Sequence, residues 1–217
     1  AYPRPEVNRQ PPLDAPVRFF FRRAAFIGPG HGFKGGPAVS SVLIAYFSRA
    51  GENYTPDGIV RLRVGNTACA ASLLEQLTGA DVFKITPKQP YDDAYSVCVR
   101  QAAEQLRGNA RPPLAVWPQP EALQGLRTLL LCYPNYCGTM PMPVWTFLQH
   151  YRWEGCAIAP LCTHEGGGLG RSEADIAALC PGARLLPGLA VRGTQAAGAL
   201  TQLRLWLLTN GIALTEE

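Results

Sequence analysis

Three short polar loops hold the residues whose types could bind an anionic or planar ligand. The first follows Val42–Phe47, an apolar run without alternation, which is typical of a strand covered on both faces of a parallel sheet. It consists of Ser48–Asn53, where a hydroxyl and a glycine amide suit a phosphate. Open α/β sheets bind ligands at the carboxyl ends of their strands. We therefore expect a phosphate contact around Ser48 and Arg49, with an ordinary strand-to-helix turn as the alternative.

A predicted insertion separates this loop from the helix that follows it. Tyr54–Val64 contains a turn signal and an alternating run, which predict a hairpin-like insertion. The helix then opens at Gly65, Asn66 and Thr67. Both ends of the insertion could meet at one phosphate, because a helix amino terminus offers free amides and a favourable dipole. The alternative is that Asn66 or Thr67 only caps the helix.

The second loop follows the third predicted strand and contains Pro134, Asn135, Tyr136 and Gly138. An aromatic residue flanked by Asn, Gly and Pro can lie flat against a planar ring while backbone amides reach the polar edge of that ring. The alternative is that Tyr136 packs on the protein body. This loop predicts contact with a planar ligand.

The third loop, Thr163–Gly170, has four glycines within five residues. Glycines without side chains let a backbone pass close to a flat surface or a ligand edge. His164 and Glu165 suggest a general acid and base, or else a surface pair, and no nucleophile stands beside them to complete a catalytic set. The glycines lack the spacing of a dinucleotide-binding fingerprint after a first strand. We therefore predict ligand contact by the backbone and no catalytic side chain.

The elements that must position these loops alternate between strand and helix. Five strands and five helices in alternation predict a doubly wound parallel α/β sheet. The predicted strands are Val42–Phe47, Asp81–Ile85, Leu126–Tyr133, Cys156–Cys162 and Ala183–Leu189. The predicted helices cover about 65–77, 92–107, 144–151, 172–179 (with Ser172 as its cap) and 194–209.

The charge of the chain is concentrated before the first strand. Of the 217 residues, 1–40 hold six Lys/Arg against two Asp/Glu, which leaves the remainder neutral although the whole chain carries +4. This distribution argues against nucleic-acid binding by the main domain. The same segment is rich in Pro and Gly, so we predict a poorly ordered basic segment at 1–40 and one folded domain at 41–217. No apolar run is long enough for a membrane span, which predicts a soluble protein.

The seven cysteines predict a reduced, cytoplasmic protein. Their number is odd, and no two of them form a C-x-x-C pair. Three histidines without ligand spacing predict no metal site. A hydrolase using Cys137 and His164 is disfavoured because nothing in the sequence places a base beside that thiol.

The sequence of these loops resembles the flavodoxin-like family of flavin mononucleotide (FMN) proteins. The resemblance runs from about Val42 to Leu214 and rests on YFSRAGEN, VGNT, YPNYCGTMP and CTHEGGGLG in this order. It implies a five-stranded sheet of order 2-1-3-4-5 with helices on both faces. It also implies that Ser48, Asn66 and Thr67 hold the FMN phosphate with backbone around Arg49 and Gly65, that Pro134, Asn135, Tyr136 and Gly138 border the isoalloxazine, and that Thr163, Gly166 and Gly167 line its other margin.

Three departures from the family qualify the predicted function. The phosphate loop is split by the insertion, the body is neutral where electron-carrier flavodoxins are often acidic, and the third loop has no aromatic for the outer flavin face. That face is then open to a quinone or to the partner subunit of a homodimer. We predict an electron-transfer protein that serves a redox partner protein or a small acceptor. The alternatives are an NAD(P)H- or quinone-linked FMN oxidoreductase and a flavin-free binding or regulatory domain.

Overall fold

A parallel sheet forms the centre of the computed structural model, which describes residues 41–119 and 123–215. The segment 1–40, for which the sequence predicts poor order, lies outside the described residues. The strands are β1 Val42–Tyr46, β2 Gly51–Thr55, β3 Gly58–Leu62, β4 Asp81–Lys84, β5 Thr128–Pro134, β6 Ala157–His164, β7 Arg184–Leu185 and β8 Leu189–Arg192. The helices are α1 Asn66–Thr78, α2 Tyr95–Arg107, α3 Met142–His150, α4 Ser172–Leu179 and α5 Leu200–Thr209, with a 3₁₀ helix at Gly193–Gly198.

The strand order confirms the doubly wound fold. The central sheet runs β4-β1-β5-β6-β7 with every pairing parallel, and β8 also pairs with β6. In chain order of the predicted strands this is 2-1-3-4-5. The fifth strand differs from its prediction, because it consists of two short pieces, β7 and β8. Pro187 lies between them and has no amide hydrogen with which to continue the ladder.

Alternate residues of the central strands feed two separate hydrophobic cores. Leu129, Leu131 and Tyr133 of β5 pack on one side with α2, α3 and α4. Leu130 and Cys132 of the same strand pack on the other side with α1 and α5. Because both faces are covered, β5 reads as a continuous apolar run. Because both faces are buried, the register of the strands is fixed. The position at which each strand ends along the sheet edge is therefore fixed too.

The insertion after β1 is confirmed as a hairpin, and it begins earlier than predicted. β2 and β3 form a separate antiparallel pair that starts at Gly51. The hairpin is fastened to the residues before α2, since Glu52 N donates to Asp93 O at 2.9 Å and Tyr95 N donates to Glu52 Oε2 at 3.0 Å. An ion pair of 2.8 Å joins Arg61 to Asp93. The hairpin is therefore held over the end of β1.

The helix starts differ from their predictions, since α2 begins at Tyr95 instead of 92 and α3 at Met142 instead of 144. Ser172 is the first residue of α4 and does not cap it. Its buried hydroxyl instead accepts a hydrogen bond from the Tyr133 hydroxyl at 2.7 Å and donates to Leu169 O at 2.6 Å. The predicted last helix is divided into the 3₁₀ helix and α5, which meet at Ala199.

Two further observations concern membrane-spanning helices and metal ligands. Among residues 41–119 and 123–215, no helix combines the length and the apolar character needed to cross a bilayer. Within the same ranges, no group of three or more His, Cys, Asp and Glu side chains is placed to hold a metal ion.

Candidate functional site

A cleft of about 140 Å³ opens at the edge of the sheet where β1, β5 and β6 end. Eight of the predicted site residues line it: Ser48, Arg49, Asn66, Thr67, Pro134, Asn135, Tyr136 and Thr163. The predicted glycines at 65, 138, 166 and 167 are not part of its lining. Residues that the sequence did not assign to binding complete the wall: Asn53, Tyr54, Tyr95, His164, Glu165 and Gly193.

The first turn of α1 brings unpaired amides to this cleft. Gly65 is the N-cap, and its carbonyl accepts from the amides of Ala68 and Cys69. Ser48 Oγ also accepts from Ala68 N, at 3.1 Å. Within the described part of the chain, the amides of Asn66 and Thr67 have no acceptor. They form the positive end of the helix dipole and suit an anion.

Gly65 allows the two ends of the split loop to meet. A Cβ at this position would press against Arg49 O and Ser48 Oγ. The chain leaving β1 thus lies directly on the first turn of α1, although the hairpin separates them in sequence. Ser48 thus lies against the first turn of α1, and this closeness depends on the missing side chain of Gly65. That Ser48, Gly65, Asn66 and Thr67 share one phosphate stays a prediction.

Two buried hydroxyls join the β1–α1 wall to β6. Thr67 Oγ1 and Thr163 Oγ1 are 2.7 Å apart, and both residues are buried. The sequence assigned Thr67 to a phosphate and Thr163 to a ring margin, yet the two bond to each other. Since a hydroxyl can donate once and accept twice, the pair retains one hydrogen for a ligand.

Arg49 crosses the cleft wall and leaves one nitrogen unpaired. Its terminal nitrogens donate to the carbonyls of Asp92, at 2.9 Å, Asp93, at 3.0 Å, and Glu52. Its Nε is buried and has no partner among the described residues. The sequence expected only backbone around Arg49 to matter. The structure adds a guanidinium fixed by three hydrogen bonds, with the buried Nε–H among its remaining donors.

Tyr136 lies against the protein body and also lines the cleft. Its ring meets Phe47 and Tyr91 edge-on, with centroids 6.0 and 5.5 Å away. Cys98 Sγ donates to its hydroxyl at 3.5 Å. Burial raises the pKa of Tyr136, an effect that nearby Cys98 reinforces and the Arg49 cation opposes. The side chain is therefore a neutral phenol held by packing.

A tight turn follows Tyr136 and carries an exposed thiol. Tyr136 and Thr139 exchange backbone hydrogen bonds of 2.8 and 3.1 Å around Cys137 and Gly138, whose φ angles of 55° and 83° are those of a type I′ turn. Burial raises the pKa of the Cys137 thiol. His164 Nδ1 instead accepts from Gly166 N at 2.9 Å. No hydrogen bond joins Cys137 to His164 in the described ranges, so the thiol has no activating base.

The glycine-rich loop packs on the loop after β5. Asn135 joins them, since its Nδ2 donates to Gly168 O and its Oδ1 accepts from Gly138 N, both at 2.9 Å. A Cβ on Gly167 would lie 2.9 Å from Asn135 Nδ2, and one on Gly170 would press on Gly138 O. Close loop-to-loop contact therefore accounts for these two glycines. The space beside Gly166 is open.

Two tyrosines that line the cleft were not assigned to the site from the sequence. Tyr54 comes from the hairpin and Tyr95 from the first turn of α2, and their rings stack with centroids 6.2 Å apart and an interplanar angle of 29°. Tyr54 is 46% exposed. Nothing in the alternation of the hairpin shows which face it turns to the cleft. Gly193 could have been predicted as a cleft residue, because it directly follows β8 and therefore lies at the same edge of the sheet.

A family model described as flavodoxin matches residues 59–209. No curated protein matches the chain significantly.

Several solved structures share the fold. A structure described as a flavoprotein from Bacteroides eggerthii DSM 20697 has 21% identity and a TM-score of 0.60, over 79% of this chain and 98% of that one. Another from Bacteroides uniformis ATCC 8492 has 19% identity and a TM-score of 0.62, over 77% and 97%. A flavoprotein in complex with FMN from Lactobacillus acidophilus NCFM has 17% identity and a TM-score of 0.52, over 72% and 96%. At these identities the likeness shows the fold.

Replacing Gly65 with alanine tests whether the cleft depends on close packing at α1. We expect Gly65→Ala to lower the free energy of unfolding by about 1–3 kcal/mol, because the new methyl group must displace Ser48 and the Arg49 carbonyl. Urea unfolding followed by circular dichroism measures this. Gly198→Ala is the matched control, since a Cβ there meets nothing within 4 Å. Equal stabilities of the two variants would contradict the packing argument.

Proposed function

The chain belongs to the flavodoxin family, and from this premise we propose that it binds FMN in the cleft and transfers electrons. The observation that carries the proposal is a set of unpaired donors on residues that line the cleft. These are the amides of Asn66 and Thr67 and the buried Nε of Arg49. Buried donors without acceptors cost free energy, so they point to a ligand that supplies anionic oxygens.

The unpaired donors of the cleft suit a phosphate. Helix amino termini bind dianions through free amides and the helix dipole, and the guanidinium of Arg49 adds a positive charge. Ser48 holds the third amide of the turn, that of Ala68, which fixes the direction of the first two. The two ends of the split loop would thus share one phosphate, as the sequence interpretation required.

The rest of the cleft fits a planar ring on a polar chain. Tyr54, Tyr95 and Tyr136 supply aromatic surface, and Asn135 and Thr163 supply polar groups beside it. The FMN bound by the Lactobacillus acidophilus flavoprotein supports this choice among planar phosphorylated ligands. Of the residues predicted to border the ring, we propose that Pro134, Asn135 and Tyr136 contact one margin and Thr163 the other, since these four line the cleft. Gly138, Gly166 and Gly167 were predicted to border it too, but they lie outside that lining.

The protein's own contribution would be binding and shielding. When bound, the flavin supplies reversible electron transfer, and the surrounding groups set its potential. Tyr136 remains uncharged because burial raises its pKa, so it excludes water without adding a charge beside the ring. The Asn135 side chain keeps both ring-bordering loops in one arrangement. A redox partner protein or a small acceptor such as a quinone would then collect the electrons.

Flavin retention tests the proposed function. After reconstitution with FMN and desalting, we expect the protein to keep the flavin absorption bands and to lose them on titration with dithionite. Reduction in two stages would fit a one-electron carrier. Reduction in one stage, together with steady oxidation of NAD(P)H with a quinone as acceptor, would indicate an FMN oxidoreductase instead of an electron carrier. A colourless desalted protein would overturn both and leave a flavin-free domain on this fold.

Substituting proline for Asn66 isolates one backbone amide. Asn66 is the first residue of α1, where proline fits the helix but lacks an N–H. We expect Asn66→Pro to weaken FMN binding about ten- to a hundredfold more than Asn66→Ala, which removes the side chain alone, because a hydrogen bond to a charged group is lost. Flavin fluorescence titration gives both affinities. Riboflavin, which has no phosphate, should bind the two variants equally. The same FMN affinity for both would argue against an amide-held phosphate.

A further inference from the structure

A second unpaired atom in the cleft is an acceptor. Glu165 follows β6 and lines the cleft. Its Oε1 accepts from Thr194 N at 2.8 Å, which fixes the carboxylate in place. Its Oε2 is buried and has no hydrogen-bond partner among the described residues. A buried carboxylate oxygen without a donor is unfavourable, so its fixed position calls for a donor from a ligand.

The position of Glu165 limits what that donor can be. Gly193 packs between Glu165 and Asn66, since a Cβ there would lie 2.7 Å from Glu165 Oε1 and would press on Asn66 Nδ2. The carboxylate therefore lies next to the first turn of α1. A phosphate held by that turn cannot donate to a carboxylate, and the two negative charges repel each other. The donor must be a neutral group attached close to the phosphate.

We propose that Glu165 Oε2 accepts a hydrogen bond from a hydroxyl of the ribityl chain of the bound flavin. This inference rests on the proposed function, because the ribityl chain is the part of FMN that joins the phosphate to the ring. It makes Glu165 a residue that selects for a hydroxylated chain. An anion without such hydroxyls would meet the same carboxylate as a repulsive charge. His164 and Glu165 then have no joint role as acid and base.

Three flavins separate this role from its competitors. FMN has both phosphate and hydroxyls, riboflavin has hydroxyls only, and lumiflavin has neither. We expect Glu165→Gln to weaken riboflavin about tenfold, because the charge-assisted bond is lost, and to leave lumiflavin unchanged. FMN should weaken by a smaller factor, because the neutral side chain also removes the repulsion of its phosphate. Glu165→Asp keeps the negative charge but moves the carboxylate oxygen away from the ligand, so FMN and riboflavin should weaken by the same factor and lumiflavin should be unchanged. Fluorescence titration measures all the affinities.

Glu173→Gln is the matched control for the loss of a carboxylate. Glu173 Oε1 likewise accepts one backbone amide, that of Gly188 at 3.0 Å, but it does not line the cleft. We expect this variant to bind all three flavins as the wild type does. Unfolding midpoints of each variant show whether any affinity change follows a loss of structure.

The other outcomes overturn the inference in distinguishable ways. Tighter FMN binding by Glu165→Gln with riboflavin unchanged would mean that the carboxylate only repels the phosphate. An equal loss for all three flavins would mean that it only holds the Thr194 loop. Unchanged affinities in a flavin-binding wild type would refute the role of Glu165 alone. Failure of the wild type to bind any flavin would overturn the proposed function together with this inference.

Discussion

The contact between the chain leaving β1 and the first turn of α1 is the constraint on which the cleft depends. It places Ser48 Oγ on the Ala68 amide, and it exists because Gly65 has no side chain to hold the two segments apart. One amide of the turn is thereby satisfied by the protein, while those of Asn66 and Thr67 remain for a ligand. The hairpin between Ser48 and Gly65 adds a wall without moving these ends apart. Unpaired backbone amides and an aromatic surface thus come from one connection between β1 and α1.

The other walls of the cleft are held by polar bonds between loops. The Thr67–Thr163 hydroxyl pair fastens α1 to the end of β6, and the Asn135 side chain fastens the loop after β5 to the glycine-rich loop. Such bonds between neighbouring loops keep a site ordered before its ligand arrives, which reduces the entropy that binding must overcome. Besides the amides of Asn66 and Thr67, two side-chain atoms of residues that line the cleft are buried without a partner among the described residues, Arg49 Nε and Glu165 Oε2. The Thr67–Thr163 pair also keeps one hydroxyl hydrogen. The cleft therefore has both donors and an acceptor to offer.

The sequence predicts the type and order of the strands and helices better than the contacts between loops, for physical reasons. Val42–Phe47 and the run around Leu129–Tyr133 are apolar without alternation because both faces of the sheet are covered, so strand type and order could be predicted. The meeting of Ser48 with α1 followed from topology and helix chemistry. Contacts between elements that are distant in sequence could not be predicted from local patterns. Tyr54 of the hairpin stacks on Tyr95 of α2, and Ser172 of α4 is hydrogen-bonded to Tyr133 of β5. Gly167 and Gly170 allow two loops to pack closely. The split of the fifth strand was visible in Pro187.

A crystal structure of the protein grown with FMN tests the central claim most directly. The account predicts phosphate oxygens within hydrogen-bond distance of the amide nitrogens of Asn66 and Thr67, with the isoalloxazine in the cleft beside Asn135 and Tyr136. A flavin whose phosphate lies away from the first turn of α1 would contradict the claim, as would crystals in which FMN occupies another surface and leaves the cleft to solvent.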